Sequence, residues 1–202
     1  MTPRTVLDWT SILLATVVAT ASVTAPAHGH GGGAALAQGA RCVGGEGRDS
    51  TSHSAVDGRE IRWTEESKYD SARKHAHKAW TGNGLSQIAV RPDAWNTNND
   101  LIWKDKNKRD KALATYARYP AAGATDEIRM NDYYLKSGRP GYYDSPEWRR
   151  IAAAHEYGHA LGLCHKNPDQ GSTLMSRDIE GTWGEVPTER DRRDYHRIWG
   201  NR

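Results

Sequence analysis

The sequence predicts an α/β protein: a twisted, mixed and mostly parallel sheet that admits an antiparallel edge strand, with helices against it. Three observations lead there. From Glu60 onward short strand-like stretches alternate with helical patterns, glycine and proline punctuate them, and 202 residues suffice for one domain with ends to spare. Ile61 and Trp63 mark the first strand. Ser67 to Trp80 follows as a helix, with Tyr69, Ala72, Ala76, Ala79 and Trp80 on one stripe and Gly82-Asn83-Gly84 as its stop. His75 and His77 lie two apart on it, a spacing that cannot present both to one ion, and read as surface residues. Leu85 to Arg91, closed by Pro92, and Asp100 to Trp103 read as strands. Lys104 to Lys111 carries five basic residues tempered by Asp105 and Asp110, and reads as a solvated loop. Ala112 to Tyr119 and Asp126 to Asn131 are two further strands, separated by the turn Pro120 to Gly123. Ser145 then caps a helix that has Pro146 at its first position and Glu147 facing the positive end of the dipole, and that runs to about Leu161. A last helix, Thr188 to Trp199, opens on a capping-box-like pair, Thr188 and Asp191, and packs through Tyr195, Ile198 and Trp199. His196 faces outward there and is no ligand.

Composition narrows the function classes. A mean hydropathy of −0.83 with 26% charged residues excludes a multipass membrane protein. A formal charge of +3 falls short of the dense basic field that nucleic acid demands, so no nucleic-acid partner is expected. Phenylalanine is absent, so the aromatic core must come from 8 Trp and 9 Tyr, whose polar atoms need partners when buried. Residues 1–27 read as an export signal: Arg4 gives positive charge, Ser11 to Ala25 is apolar but shorter than the ~20 residues of a spanning helix, and Ala25-Pro26-Ala27 offers small residues for cleavage. A second small-residue site is Ala35-Leu36-Ala37, which puts the mature start between His28 and Gln38. Residues 28–48, rich in Gly, Ala and Ser, read as a flexible lead-in in which His28 and His30 are a solvated tail; 49–202 form the domain. The expected product is secreted, monomeric and without stable membrane association.

The chemistry concentrates in one helix and the turn after it. His155 and His159, at i and i+4, project from one face, so both imidazoles can reach one ion, and Glu156 sits beside them. Gly162 ends the helix by taking the left-handed conformation, and His165 can then approach the same ion from outside it. Zinc accepts three neutral imidazoles at ~2.0–2.1 Å and keeps a fourth position for water. Five fixed residues at these spacings arise by accident on the order of once in 10⁴ chains of this length.

The pattern His155-Glu156-x-x-His159-x-x-Gly162-x-x-His165, followed by Met175 in Ser172-Thr-Leu-Met-Ser176, resembles the metzincin zinc endopeptidases with their methionine turn. From Glu60 to Arg202 the order of elements is similar to that of matrixin-like members. The resemblance implies an active-site helix on a mixed sheet, a small C-terminal subdomain carrying the methionine turn and a last helix, and one catalytic zinc held by His155, His159 and His165. It implies that Glu156 takes a proton from a zinc-activated water and returns it to the departing amine. It also implies that an extended peptide or protein substrate adds a strand along Ala114 to Tyr119, and that Met175 packs beneath the ligands without coordinating. The sequence departs from the family in three places. No histidine lies between His77 and His155 to hold a second, structural zinc; Lys166 follows the third histidine; and no tyrosine follows Met175 closely. Trp183 could line the primed pocket or the core. The competing readings are an amidase or deacetylase acting on a small substrate, and a non-catalytic secreted zinc-binding module.

Cys42 and Cys164 are the only thiols, and export favours a disulfide, worth up to ~4–5 kcal/mol for so long a loop. The alternative is a switch in which the Cys42 thiolate occupies the open zinc position. Asn96 to Asp100 and Asn131-Asp132 could help hold calcium, but turn chemistry accounts for them better.

Overall fold

The computed structural model describes residues 39–138, 143–178, 182 and 184–200. The export signal, His28, His30 and Trp183 lie outside them. The five strands are β1 (Glu60–Glu65), β2 (Ala89–Pro92), β3 (Leu101–Lys106), β4 (Ala114–Ala117) and β5 (Asp126–Asn131), in the order β2-β1-β3-β5-β4. Every pairing is parallel except β4 with β5, so the antiparallel strand is the edge. The helices are α1 (Asp70–Thr81), the short α2 (Asp132–Leu135), α3 (Pro146–Ala160) and α4 (Glu189–Trp199).

β3 runs beyond the expected Trp103, through residues read as a charged loop. Leu101 and Trp103 bury one face, while Lys104 and Lys106 point the other way and reach Glu127 at 2.9 Å and Asp110 at 3.0 Å. β2 is shorter than expected, and Leu85 and Ile88 enter the core from the segment before it. α1 packs against β2 and against α3, which in turn lies on β4 and β5. His77 is no surface residue: its ring sits among Trp63, Trp103 and Tyr157, with centroids 5.0, 5.7 and 4.9 Å away. Helix α1 presents His75 and His77 to different neighbours, because α3 and the sheet cover more of it than a single stripe.

α3 starts as its sequence dictates, with the Ser145 hydroxyl accepting from the Trp148 N–H. All residues from Ile151 to Ala160 are buried, and Ala152, Ala153 and Ala154 keep the helix thin enough for its neighbours to close on it. Two tryptophans tie it down: the Trp80 indole N–H donates to the Ala154 carbonyl at 2.8 Å, and that of Trp199 in α4 donates to the Leu161 carbonyl at 2.9 Å. The capping box of α4, Thr188 with Asp191, is present.

The lead-in expected over 28–48 is, from Gly39 onward, a folded hairpin. Arg41 and Arg48 bridge across it, and a disulfide joins Cys42 to Cys164 with the α-carbons 5.5 Å apart. The bridge leaves no thiol for a switch. Gly162 has φ 87° as expected, and a second reason to be glycine: a β-carbon there would stand 2.4 Å from the Ser50 carbonyl oxygen. The candidate calcium ligands serve the fold. Asn131 is fully buried and donates to the carbonyls of Lys108 and Ala112, while Asp132 binds Lys68 and the Tyr69 hydroxyl. None of them joins a metal-competent group among the described residues.

Candidate metal centre

His155 and His159 leave α3 one turn apart, and the chain reverses at Gly162 to bring His165 back to them. The three imidazoles are buried, and their ligand atoms form a group that could hold a metal ion. Nε2 of His159 stands 3.2 Å from Nε2 of His155 and 3.2 Å from Nε2 of His165. Two nitrogens so spaced and each ~2.0–2.1 Å from a common ion subtend roughly 100° there, close to the tetrahedral angle.

The opposite ring nitrogens decide what these nitrogens can be. Nδ1 of His155 donates to the Leu174 carbonyl at 2.8 Å, Nδ1 of His159 to the Leu163 carbonyl at 2.7 Å, and Nδ1 of His165 faces a Glu46 oxygen at 2.7 Å. A carbonyl or carboxylate acceptor holds the proton on Nδ1, so all three Nε2 lone pairs point inward at one another. Lone pairs at that separation repel unless a cation lies between them. Burial, with the neighbouring histidines, holds His155 well below the usual imidazole range, and burial brings His159 down to about 3, so protons fill that role poorly. A metal ion fits it.

Glu156 is buried beside the group and is not a ligand of it. Its Oε2 accepts the Tyr116 N–H of the edge strand β4 at 2.6 Å. Burial pushes its carboxyl up to about 8, against the pull of the Lys106 charge and that N–H. Met175 is fully buried and lies against Gly158 in α3, where a β-carbon would come within 2.3 Å of the sulfur. The turn that carries it is tied to the segment after His165, the Lys166 N–H donating to the Met175 carbonyl at 2.7 Å. The expected site residues therefore come together: three histidines, a carboxylate one residue along, and a methionine behind.

Four residues support the site in ways the sequence does not disclose, although Asp191 is legible as a helix cap and Lys166 as a departure from the family. Glu46 holds His165; burial alone would raise its carboxyl, but the hydrogen bonds from His165 hold it below the usual range. Lys166 is buried and paired with Asp49, whose Oδ1 also accepts the Cys164 N–H at 2.9 Å. Asp191 caps α4 and also accepts the Leu174 N–H at 2.7 Å, steadying the segment whose carbonyl orients His155. A signal for Glu46 existed: once Cys42 is joined to Cys164, its near neighbours must lie by residue 165.

No family model matches the chain, and no curated protein matches it. Among solved structures, a chain of the GM1 bound form of the ECX AB5 holotoxin aligns with a TM-score of 0.48 and 15% identity, covering 71% of this chain and 81% of that one. A likeness of that degree bears on neither fold nor chemistry.

Proposed function

We propose that this chain is an exported zinc-dependent endopeptidase with the metzincin arrangement, acting on extended peptide. The observation that carries the reading is the convergence of three inward Nε2 lone pairs, with tautomers fixed from behind, next to a buried carboxylate that is free of them. A zinc ion held by His155, His159 and His165 supplies a Lewis acid able to acidify a water and polarise a carbonyl. Glu156 takes the proton of the attacking water and gives it to the departing amine. β4, at the edge of the sheet, offers main-chain groups along which a peptide can add as a strand, beside Glu156. Gly158 and Met175 interlock and hold the helix in place behind the ligands. Export is supported by the apolar leader and by the disulfide.

The test is incubation of purified protein with a mixed peptide library, with and without a chelator, beside elemental analysis. Internal cleavage that stops on chelation and returns with zinc is expected. Metal-replete protein that leaves all peptides intact overturns the reading, and deacylation of small amides by that protein would put the amidase in its place.

A further inference from the structure

His165 differs from the other two histidines in what holds it. His155 and His159 lean on main-chain carbonyls of nearby segments, whereas His165 leans on a side chain 119 residues away. Both Glu46 oxygens are committed to it, one facing Nδ1 at 2.7 Å and the other accepting the His165 N–H at 3.2 Å. The hairpin that delivers Glu46 has no apolar residue in the core. It is held by the Cys42–Cys164 bond, by the Val43 N–H donating to the His165 carbonyl at 3.0 Å, and by Asp49 at its far end.

We infer that Glu46 is a positioning residue for the metal, and that the Cys42–Cys164 bond keeps it in place, so that metal retention depends on the oxidised state of a bond that includes none of the three metal-binding side chains. The inference rests on reading the three histidines as a metal centre and needs no particular reaction. A carboxylate on Nδ1–H fixes the ring's tautomer and angle and makes Nε2 a better donor; losing such a partner costs ~10–100-fold in metal affinity. Without the covalent tie, closing a loop of that length would fall to a few polar contacts.

The experiment follows zinc release from the loaded full chain to a chromogenic chelator, with cobalt absorption as a second view of the ligand field. Glu46→Ala should release metal ~10–100-fold faster and alter the cobalt bands, while Glu46→Gln, which keeps one acceptor for Nδ1–H but turns its NH2 toward the His165 N–H, recovers part of the difference. Cys42→Ser/Cys164→Ser should behave like Glu46→Ala, and combining all three changes should add little. Glu46→Ala also removes two hydrogen bonds that the metal-free protein already makes, so its midpoint falls without metal; the midpoint of the zinc-loaded protein should fall further still, which a merely structural glutamate would not cause. Wild-type release by Glu46→Ala overturns the assignment, and costs that multiply between Glu46 and the cysteines overturn the coupling. Loss of proteolysis with these ratios intact would count against the proposed function alone; proteolysis with equal release would count against this inference alone.

Discussion

Gly158 offers a test in which helix propensity and packing pull in opposite directions. Glycine inside a helix is less favourable than alanine by ~1 kcal/mol, so Gly158→Ala would stabilise an exposed α3. Here the new methyl would lie 2.3 Å from Met175 Sδ, 3.1 Å from its Cε and 2.9 Å from Trp80 Cζ2, where carbon contacts prefer ~3.5–4.0 Å. Neither neighbour has room to yield: Met175 is 0% and Trp80 1% exposed, and the Trp80 ring is tied to the Ala154 carbonyl. Overpacking costs ~1–3 kcal/mol and a 2.3 Å contact belongs at the upper end, ~2–3 kcal/mol, so against the ~1 kcal/mol of helix propensity a net loss of about 1–2 kcal/mol is expected, a fall in Tm of roughly 2–8 °C for a domain of this size. Urea unfolding of Gly158→Ala, Met175→Ala and the pair completes the argument. In the pair the methyl enters space that the thioether has left, so the double variant should lose at least ~1 kcal/mol less than the sum of the singles. An equal or higher Tm for Gly158→Ala, or strict additivity, would refute the interlock.

Three further outcomes are expected. Glu156→Gln should keep its metal yet lose at least ~10²-fold in kcat on a cleavable peptide; undiminished turnover would remove Glu156 from its role. Burial, aided by the Arg73 charge, brings His77 down to about 3, whereas the unfolded chain titrates it near 6.5, so the unfolded state takes up a proton that the fold refuses as pH falls between those values. That drains up to about 1.4 kcal/mol per pH unit, and His77→Phe should gain on wild type over the same window in urea titrations; a pH-independent difference would contradict it. Lys166→Met leaves the Asp49 carboxylate, 0% exposed, without its cation, and should lower stability by ~3–5 kcal/mol. An unmoved urea midpoint would show the pair to be dispensable.

What the sequence disclosed was whatever is local. The starts of α3 and α4 were legible because Ser145, Pro146, Thr188 and Asp191 act within one turn of themselves, and the metal group because helical periodicity and one glycine fix it. The far end of β3 was obscured by its charges, which say nothing of direction until Glu127 and Asp110 are seen across from Lys104 and Lys106. His77 was misjudged because its burial is set by three aromatic rings from β1, β3 and α3. The hairpin around Glu46 was hidden by composition: glycine-rich chain without periodicity looks unstructured until a covalent bond fastens it.

The two indole donors against α3 have one more consequence. A helix buried on every side from Ile151 to Ala160 carries little pattern to tell it which way to roll, and each residue of slip would swing its side chains by about 100°. Trp80 and Trp199, gripping the carbonyls of Ala154 and Leu161, bracket the span that carries His155 and His159 and act as indexing pins. A chain that had used phenylalanine there would have kept an aromatic ring against the helix, lost both donors and left the barrel free to turn.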